Sequence, residues 1–135
     1  MKGVFIMDEL GKVIENMDFN YFATGKHKIE PDVFLKNKEA VFLDVRAKVE
    51  METIQFHLKL HLPVVEIPLH EIPKRINEIP KDKLIGIFCS SGVRCVIAFA
   101  YLKSKGFQQV RILEGGYNNF VANLLPGKIH KHINA

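Results

Sequence analysis

The sequence has few of the features on which stapled, metal-bound or membrane-spanning proteins depend. It contains two cysteines, no tryptophan and no C-x-x-C pair, so we expect neither a disulfide framework nor a structural zinc site. Its longest apolar runs, such as 96–102, fall far short of the roughly 20 residues that a membrane-spanning helix needs. The apolar start is also shorter than a signal-peptide core. We therefore expect a cytoplasmic protein without a metal.

Length and composition fit one domain of ordinary stability. Of the 135 residues, 47% are hydrophobic and 25% are charged, which suits a single core. Residues 1–80 carry 11 Lys/Arg against 13 Asp/Glu, whereas residues 81–135 carry 8 against 2. The excess positive charge of residues 81–135 would attract small anions or an acidic partner. A surface of solvated lysines explains the same excess equally well. Because the lysines are scattered and not interleaved with aromatics, we expect no nucleic-acid partner.

Short β-rich apolar runs alternate with helical stretches along the chain. This alternation predicts an α/β fold with a parallel sheet covered by helices. Strands are expected at 41–43, 64–67, 84–88 and 109–113, and helices at 8–17, after Pro31, at 69–79, at 95–105 and at 117–124. Asp8 can cap the first helix, whose inward face would carry Leu10, Val13, Ile14 and Met17. Val33 and Phe34 would form the buried side of the second.

One loop has the composition of a reactive site. Cys89 directly follows the predicted buried strand 84–88 and opens the six-residue loop Cys89-Ser90-Ser91-Gly92-Val93-Arg94. Ligands of open parallel sheets bind at the carboxyl ends of the strands. Gly92 permits a left-handed turn, so successive backbone N–H groups can form an anion-binding nest. The nest, the following helix N-terminus and Arg94 would all favour the thiolate of Cys89, which is the predicted nucleophile.

With three further motifs, this loop resembles the rhodanese domain family of sulfurtransferases, which carry a sulfane sulfur as a persulfide on one cysteine. The other motifs are Phe42-Leu43-Asp44-Val45-Arg46, Leu113-Glu114-Gly115-Gly116, and His61-Leu62-Pro63 followed by Ile67-Pro68. The resemblance spans 28–124 and implies a small parallel sheet with helices on both faces. Residues 1–27 are then an N-terminal helical extension packed on this single domain, and 125–135 are a C-terminal tail.

The resemblance implies a mechanism without a metal or organic cofactor. Cys89 would attack the outer sulfur of thiosulfate, a polysulfide or a persulfide, and the loop from Ser90 to Cys95 would hold the transferred sulfur. A thiol or cyanide would then accept it, and a protein could serve as donor or acceptor. Phosphatases that resemble this fold use a seven-residue C-x-x-x-x-x-R loop, so the six-residue loop favours sulfur chemistry.

Several residues leave alternatives open. Asp44 either caps a turn or pairs with Arg46, or it supports the active loop; Arg46 is also spaced to form an ion pair with Glu50. Ser90 and Ser91 stand where many family loops have a basic residue, so a preference for doubly charged thiosulfate is not expected. Cys95 is either a small buried residue or a resolving thiol that forms a Cys89–Cys95 disulfide.

Two other functions compete with sulfur transfer. One is a sulfur carrier or protein-binding module that receives a persulfide from a protein donor without small-molecule turnover. The other is a redox sensor built on Cys89 and Cys95. His130 and His132, in the tail, are expected to be solvated, and Val4-Phe5-Ile6-Met7 is either the staple of the first helix or an exposed association patch.

Overall fold

A five-stranded parallel sheet with the strand order β1-β5-β4-β2-β3 forms the centre of the protein. The structure is a computed structural model that describes residues 8–58, 62–90 and 92–134. The strands are β1 (Lys28–Ile29), β2 (Ala40–Asp44), β3 (Val64–Glu66), β4 (Leu84–Phe88) and β5 (Val110–Leu113). All of β2 is buried, because a central parallel strand is covered on both faces and therefore reads as a continuous apolar run. The predicted α/β class is confirmed.

Eight α-helices in the described ranges surround the sheet. They are α1 (Glu9–Glu15), α2 (Phe19–Ala23), α3 (Pro31–Leu35), α4 (Lys48–Thr53), α5 (Ile72–Arg75), α6 (Val93–Ser104), α7 (Gly116–Ala122) and α8 (Pro126–Ile133). The helix predicted at 69–79 is instead a 3-10 turn, the short α5 and a second 3-10 turn. Pro73 has no N–H to donate to the Leu69 carbonyl, so a regular helix cannot run from Leu69 through this residue.

Each face of the sheet carries its own core, which confirms the expected helices on both faces. On one face, Leu43 and Ile87 pack with Phe99 and Leu102 of α6. The other face is built from aromatic rings that α3, β2, β4 and α7 contribute. These rings are Phe34, Phe42, Phe88 and Phe120. Phe42 and Phe88 lie stacked with centroids 5.4 Å apart, so aromatic packing on this face fixes the end of β4.

The first helix forms as predicted, but it buries less than expected. The Gly11 N–H donates to the Asp8 carboxylate at 2.6 Å, which confirms the cap. Leu10 and Ile14, however, are 44% and 56% exposed, because α1 packs against α6 at the outside of the domain and only one narrow stripe is covered. In α3, Phe34 is buried while Val33 is exposed. Residues 4–7 lie outside the described residues.

The C-terminal segment differs from the expected tail. Residues 126–133 form α8, which begins at Pro126, a residue that suits the first helical turn. His130 is exposed as expected, but His132 is only 2% exposed, because α8 folds back with Lys38 donating to the Ile133 carbonyl at 2.9 Å. The division into 1–27, 28–124 and 125–135 stays a prediction. Within the described ranges no helix has the length and apolar character needed to cross a bilayer.

Candidate active site

Cys89 lies at the carboxyl edge of the sheet, immediately after β4. Phe88 is in register with Asp44 of β2, and its carbonyl accepts a hydrogen bond from the Val45 N–H at 3.0 Å. This pairing fixes the backbone on which Cys89 stands. The position is the one at which loops of parallel sheets gather around a ligand.

The chain turns directly from Cys89 into α6. Gly92 has φ +92°, the left-handed conformation that its sequence position predicted, and its N–H donates to Cys89 Sγ at 3.1 Å. The helix then begins at Val93, two residues before the predicted start. Because α6 is 12 residues long and its N-terminus adjoins the sulfur, its dipole and the Gly92 amide both favour negative charge there.

An open cavity of about 470 Å³ gives access to Cys89. The residue itself is only 1% exposed, but it lines this cavity together with Val93 and Val96. Those two valines are 65% and 56% exposed, so the cavity reaches the protein surface. A donor of a few atoms can therefore approach the cysteine along α6.

The Gly-Gly turn after β5 supports the loop from its other side. Gly116 has φ +63°, and a Cβ at this position would lie 3.3 Å from the Ser90 carbonyl oxygen. The left-handed backbone conformation therefore favours glycine, and the close approach leaves little room for a side chain. This contact explains why the motif at 113–116 accompanies the cysteine loop.

Cys95 lies beside Cys89 in the first turn of α6 and is 1% exposed. Its Sγ is 3.5 Å from the Ile87 carbonyl oxygen. A hydrogen bond to Cys89, followed by burial, raises the pKa of the Cys95 thiol. Since the thiolate is the attacking form of a cysteine, this environment favours the interpretation of Cys95 as a small, protonated, buried residue. The resolving thiol stays a prediction.

Glu50 of α4 lies in the site, although the sequence motifs did not place it there. Its carboxylate accepts hydrogen bonds from Arg94 Nη1, from Arg94 Nη2 at 3.0 Å and from the Ser90 hydroxyl at 2.8 Å. It also accepts from the Ala47 N–H at 3.0 Å, which caps α4. The Arg94 guanidinium, assisted by these other donors, lowers the pKa of Glu50 to about 2.

The predicted Arg46–Glu50 ion pair does not form. Arg46 reaches only the backbone carbonyl of Glu50, at 3.4 Å, because its guanidinium is held by Asp44 and the Glu50 carboxylate by Arg94. Glu50 stands three residues after the helix cap, as the glutamate of a capping box does, and it accepts from the cap N–H. The cap residue is Ala47, however, which has no side-chain acceptor, so the sequence pattern did not identify Glu50.

Asp44 and Arg46 form the alternative pair that the sequence suggested. Arg46 Nε donates to Asp44 Oδ1 at 3.0 Å and Nη2 donates to Oδ2 at 2.7 Å. The guanidinium lies 5.3 Å from the ring centroids of both Phe56 and Phe88, and Nη2 also donates to the Ile54 carbonyl at 2.7 Å. The pair therefore ties the end of α4 to the residue that precedes Cys89.

The predicted loop residues thus divide into two groups. Gly92, Val93 and Cys95 line the cavity with Cys89, while the Arg94 side chain is bound to Glu50. Ser90 belongs to both groups, because it lines the cavity and its hydroxyl donates to Glu50. The hydrogen bonds to Glu50 and, to a smaller extent, the negative charge of Cys89 raise the pKa of Arg94. The arginine therefore remains within electrostatic reach of the sulfur. Ser91 lies outside the described residues.

Comparisons with known proteins agree with this geometry. The family model described as Rhodanese-like domain matches residues 31–123. Among curated proteins, a tRNA uridine(34) hydroxylase of Pelagibacter ubique is 33% identical over 90 residues, which are 67% of this chain and 29% of that protein. The chain therefore spans less than a third of the length of this relative.

Solved structures show the same arrangement of elements. A NAD-dependent persulfide reductase from A. fulgidus has a TM-score of 0.57 and 34% identity, with 77% of this chain and 17% of that chain covered. A rhodanese-like domain protein from Staphylococcus aureus has a TM-score of 0.58 and 26% identity, with 70% and 90% covered. The second likeness extends over almost the whole of a protein that consists of one such domain.

Proposed function

Since the chain belongs to the rhodanese-like domain family, we propose that it is a sulfurtransferase that carries sulfane sulfur as a persulfide on Cys89. The observation that carries this proposal is the Gly92 N–H, 3.1 Å from Cys89 Sγ at the N-terminus of α6. An amide and a helix end directed at one sulfur stabilise a thiolate and, later, a terminal sulfur atom. The A. fulgidus structure is named a persulfide reductase, which supports persulfide chemistry in this loop.

In the first half-reaction the Cys89 thiolate attacks the outer sulfur of the donor. With thiosulfate, the new S–S bond forms as the sulfur–sulfur bond of the donor breaks, and sulfite leaves with the electron pair. With a persulfide R–S–SH, the thiolate R–S⁻ leaves, and Cys89 holds –S–SH. Charge and atoms balance in both cases without an added oxidant, so the step is nucleophilic catalysis through a covalent intermediate.

In the second half-reaction an acceptor removes the sulfur. A thiolate or cyanide attacks the terminal sulfur of the Cys89 persulfide, and Cys89 leaves as the thiolate, which the Gly92 amide again stabilises. The Cys95 thiol, whose pKa its interaction with Cys89 raises, has one S–H, and turning it from the Ile87 carbonyl toward Cys89 supplies a second donor to the leaving sulfur. Donor and acceptor thus use one cavity in turn, which predicts ping-pong kinetics.

A sulfur carrier that exchanges only with a protein is the second candidate. The observation that favours it is the exposed apolar pair Val93 and Val96 beside the cavity, because apolar surface at a site entrance suits contact with a partner protein. Steady-state transfer to cyanide or a small thiol by the isolated protein argues against a pure carrier. Loading that requires a donor protein argues for it.

Intact mass spectrometry tests the proposed function. Incubation with polysulfide or thiosulfate should add the mass of one sulfur atom, and dithiothreitol should remove it. Cys89→Ser should show no addition, while Cys95→Ser, which retains a hydroxyl donor, should still be loaded. Absence of any addition with every donor would overturn the sulfurtransferase proposal.

A further inference from the structure

The cavity next to Cys89 provides little positive charge to a donor. Among the described residues that line it, the charged side chain is Glu114, which lies 3.6 Å from Lys28. His27 also lines the cavity, and burial, with Lys28 and Arg111 nearby, lowers its pKa, so its imidazole is neutral at pH 7. The remaining wall is largely apolar and includes Val93, Val96, Ile112 and Leu113.

The arginine of the loop is neutralised by Glu50. Both of its terminal nitrogens donate to the two carboxylate oxygens, and the side chains are 29% and 31% exposed. The same carboxylate also accepts a hydrogen bond from the Ser90 hydroxyl. Two polar side chains of the loop are thereby directed at α4, and the Arg94–Glu50 pair has no net charge.

We propose that Glu50 is a positioning residue that sets donor specificity: by binding Arg94 and Ser90, it leaves a nearly uncharged cavity that takes alkyl persulfides and disfavours the thiosulfate dianion. This inference rests on the proposed sulfurtransferase function. A dianion brought into a largely apolar cavity loses hydration, and one amide and a helix end replace less of it than a free cation would. An alkyl persulfide instead places an apolar body against the valines and presents its sulfur to Cys89.

The first arm of the test uses the wild-type chain and two donors of different charge. The donors are thiosulfate and N-acetylcysteamine persulfide, whose body is uncharged. The rate of loading of Cys89 is measured by quenched intact mass, and each rate is divided by that of free cysteine with the same donor to remove differences in intrinsic reactivity. We expect the corrected rate constant to be at least about tenfold higher for the persulfide, the factor that a difference of about 1.4 kcal/mol produces.

The second arm of the test removes the negative charge that binds Arg94. Glu50→Gln keeps the size and one acceptor of the side chain but removes its charge, so the pair changes from neutral to positive. A single free cation near a dianion is expected to narrow the persulfide-to-thiosulfate ratio by about tenfold. In Glu50→Gln/Arg94→Gln the added charge is absent, and the ratio should return toward that of the wild type.

Glu78→Gln is the matched control. Glu78 also forms a two-bond pair with an arginine, with Arg75 Nε at 2.8 Å and Nη2 at 2.9 Å, but it belongs to the 3-10 turn after α5 and does not contact the loop. Its donor ratio should equal that of the wild type. A distortion of the site alone would slow both donors together and leave the ratio unchanged.

The outcomes are distinguishable. Equal corrected rates for the two donors in the wild type, or an unchanged ratio in a folded Glu50→Gln, overturn the inference while leaving sulfur transfer intact. If neither donor loads the wild-type Cys89, the sulfurtransferase proposal fails and this inference fails with it. If Glu50→Gln does not fold, the wild-type ratio decides.

Discussion

Two arginine–carboxylate pairs flank the cysteine loop, and their surroundings differ sharply. In the Asp44–Arg46 pair the side chains are 0% and 4% exposed, whereas in the Glu50–Arg94 pair they are 31% and 29% exposed. In both pairs an arginine guanidinium donates to the two oxygens of one carboxylate. Burying a charge requires a large desolvation free energy, whereas a charge near water is solvated and screened. The same contact therefore has different consequences at the two positions.

The buried pair acts on the backbone beneath the reacting residue. Arg46 is held between the rings of Phe56 and Phe88 and donates to the Ile54 carbonyl. Since Phe88 precedes Cys89, loss of this pair would disturb the end of β4 as well as the end of α4. Its contribution is to the position of the loop and to the stability of the domain.

The half-exposed pair instead acts on the charge that the loop presents. Water screens it and replaces part of any lost bond, so its removal costs little stability. It nevertheless determines where the guanidinium of Arg94 points. A partly exposed ion pair can therefore control the charge of a site while contributing little to folding.

The largest expected effect comes from breaking the buried pair. Asp44→Ala leaves the Arg46 guanidinium buried without its counter-charge, and such a loss costs about 3–5 kcal/mol. We expect the free energy of unfolding, measured by urea denaturation, to fall by this amount. Loading of Cys89 should decline with the folded fraction.

The double variant Asp44→Ala/Arg46→Met distinguishes the contribution of the charge pair to stability from that of the packing of the Arg46 side chain. Removing both charges avoids a buried, unpaired cation and retains an unbranched apolar chain between the two rings. It should therefore be more stable than Asp44→Ala. If the double variant is the less stable of the two, then the contacts of Arg46 with the Ile54 carbonyl and the rings, rather than the pair, stabilise this region.

Breaking the half-exposed pair should have a smaller effect. Glu50→Ala removes the pair with Arg94 and the hydrogen bond to the Ala47 N–H, and we expect a loss of about 1 kcal/mol in the same urea measurement. A loss as large as that of Asp44→Ala would contradict the contrast between the two pairs. It would mean that Glu50 is primarily a structural residue.

Local pattern was sufficient to predict much of the fold and the reacting residue. The apolar run 84–88, the cysteine at its end and Gly92 two residues before Arg94 are all neighbours in sequence. Their geometry follows from the hydrophobic pattern of the segment and from the left-handed backbone conformation that glycine accepts. The helix begins at Val93 rather than Cys95 because the turn at Gly92 leads into it without a spacer.

Contacts between distant segments could not be predicted in this way. Glu50 and Arg94 are 44 residues apart in the chain, and α4 is a six-residue helix with too few turns to show a clear apolar period. His132 lies in a polar stretch that suggested a solvated tail, yet the folding back of α8 buries it. Both errors concern tertiary packing, on which the composition of a short segment carries little information.

The smallest expected effect is the acid sensitivity of the stability that the Glu50–Arg94 pair contributes, compared with that of the more exposed Glu78–Arg75 pair. Arg94 lowers the pKa of Glu50 from an ordinary 4.5 to about 2, so folding favours the ionised form. The stability that the pair contributes is therefore present above about pH 4.5 and is lost as the pH falls from 4.5 toward 2. With a pair screened by solvent, the change should remain below about 1 kcal/mol.

The measurement is the difference in urea midpoint between wild type and Glu50→Gln at pH 7, 4 and 2.5. This difference should be largest at pH 7 and should shrink on acidification, because below about pH 4.5 the Glu50 carboxyl is protonated in the unfolded chain, and keeping it ionised in the folded protein then stabilises the fold less. Glu78→Gln should show a smaller difference, since Glu78 is 51% exposed and water screens its pair with Arg75 more strongly. A difference for Glu50→Gln that stays constant with pH would mean that the amide's shape, and not the lost charge, causes it.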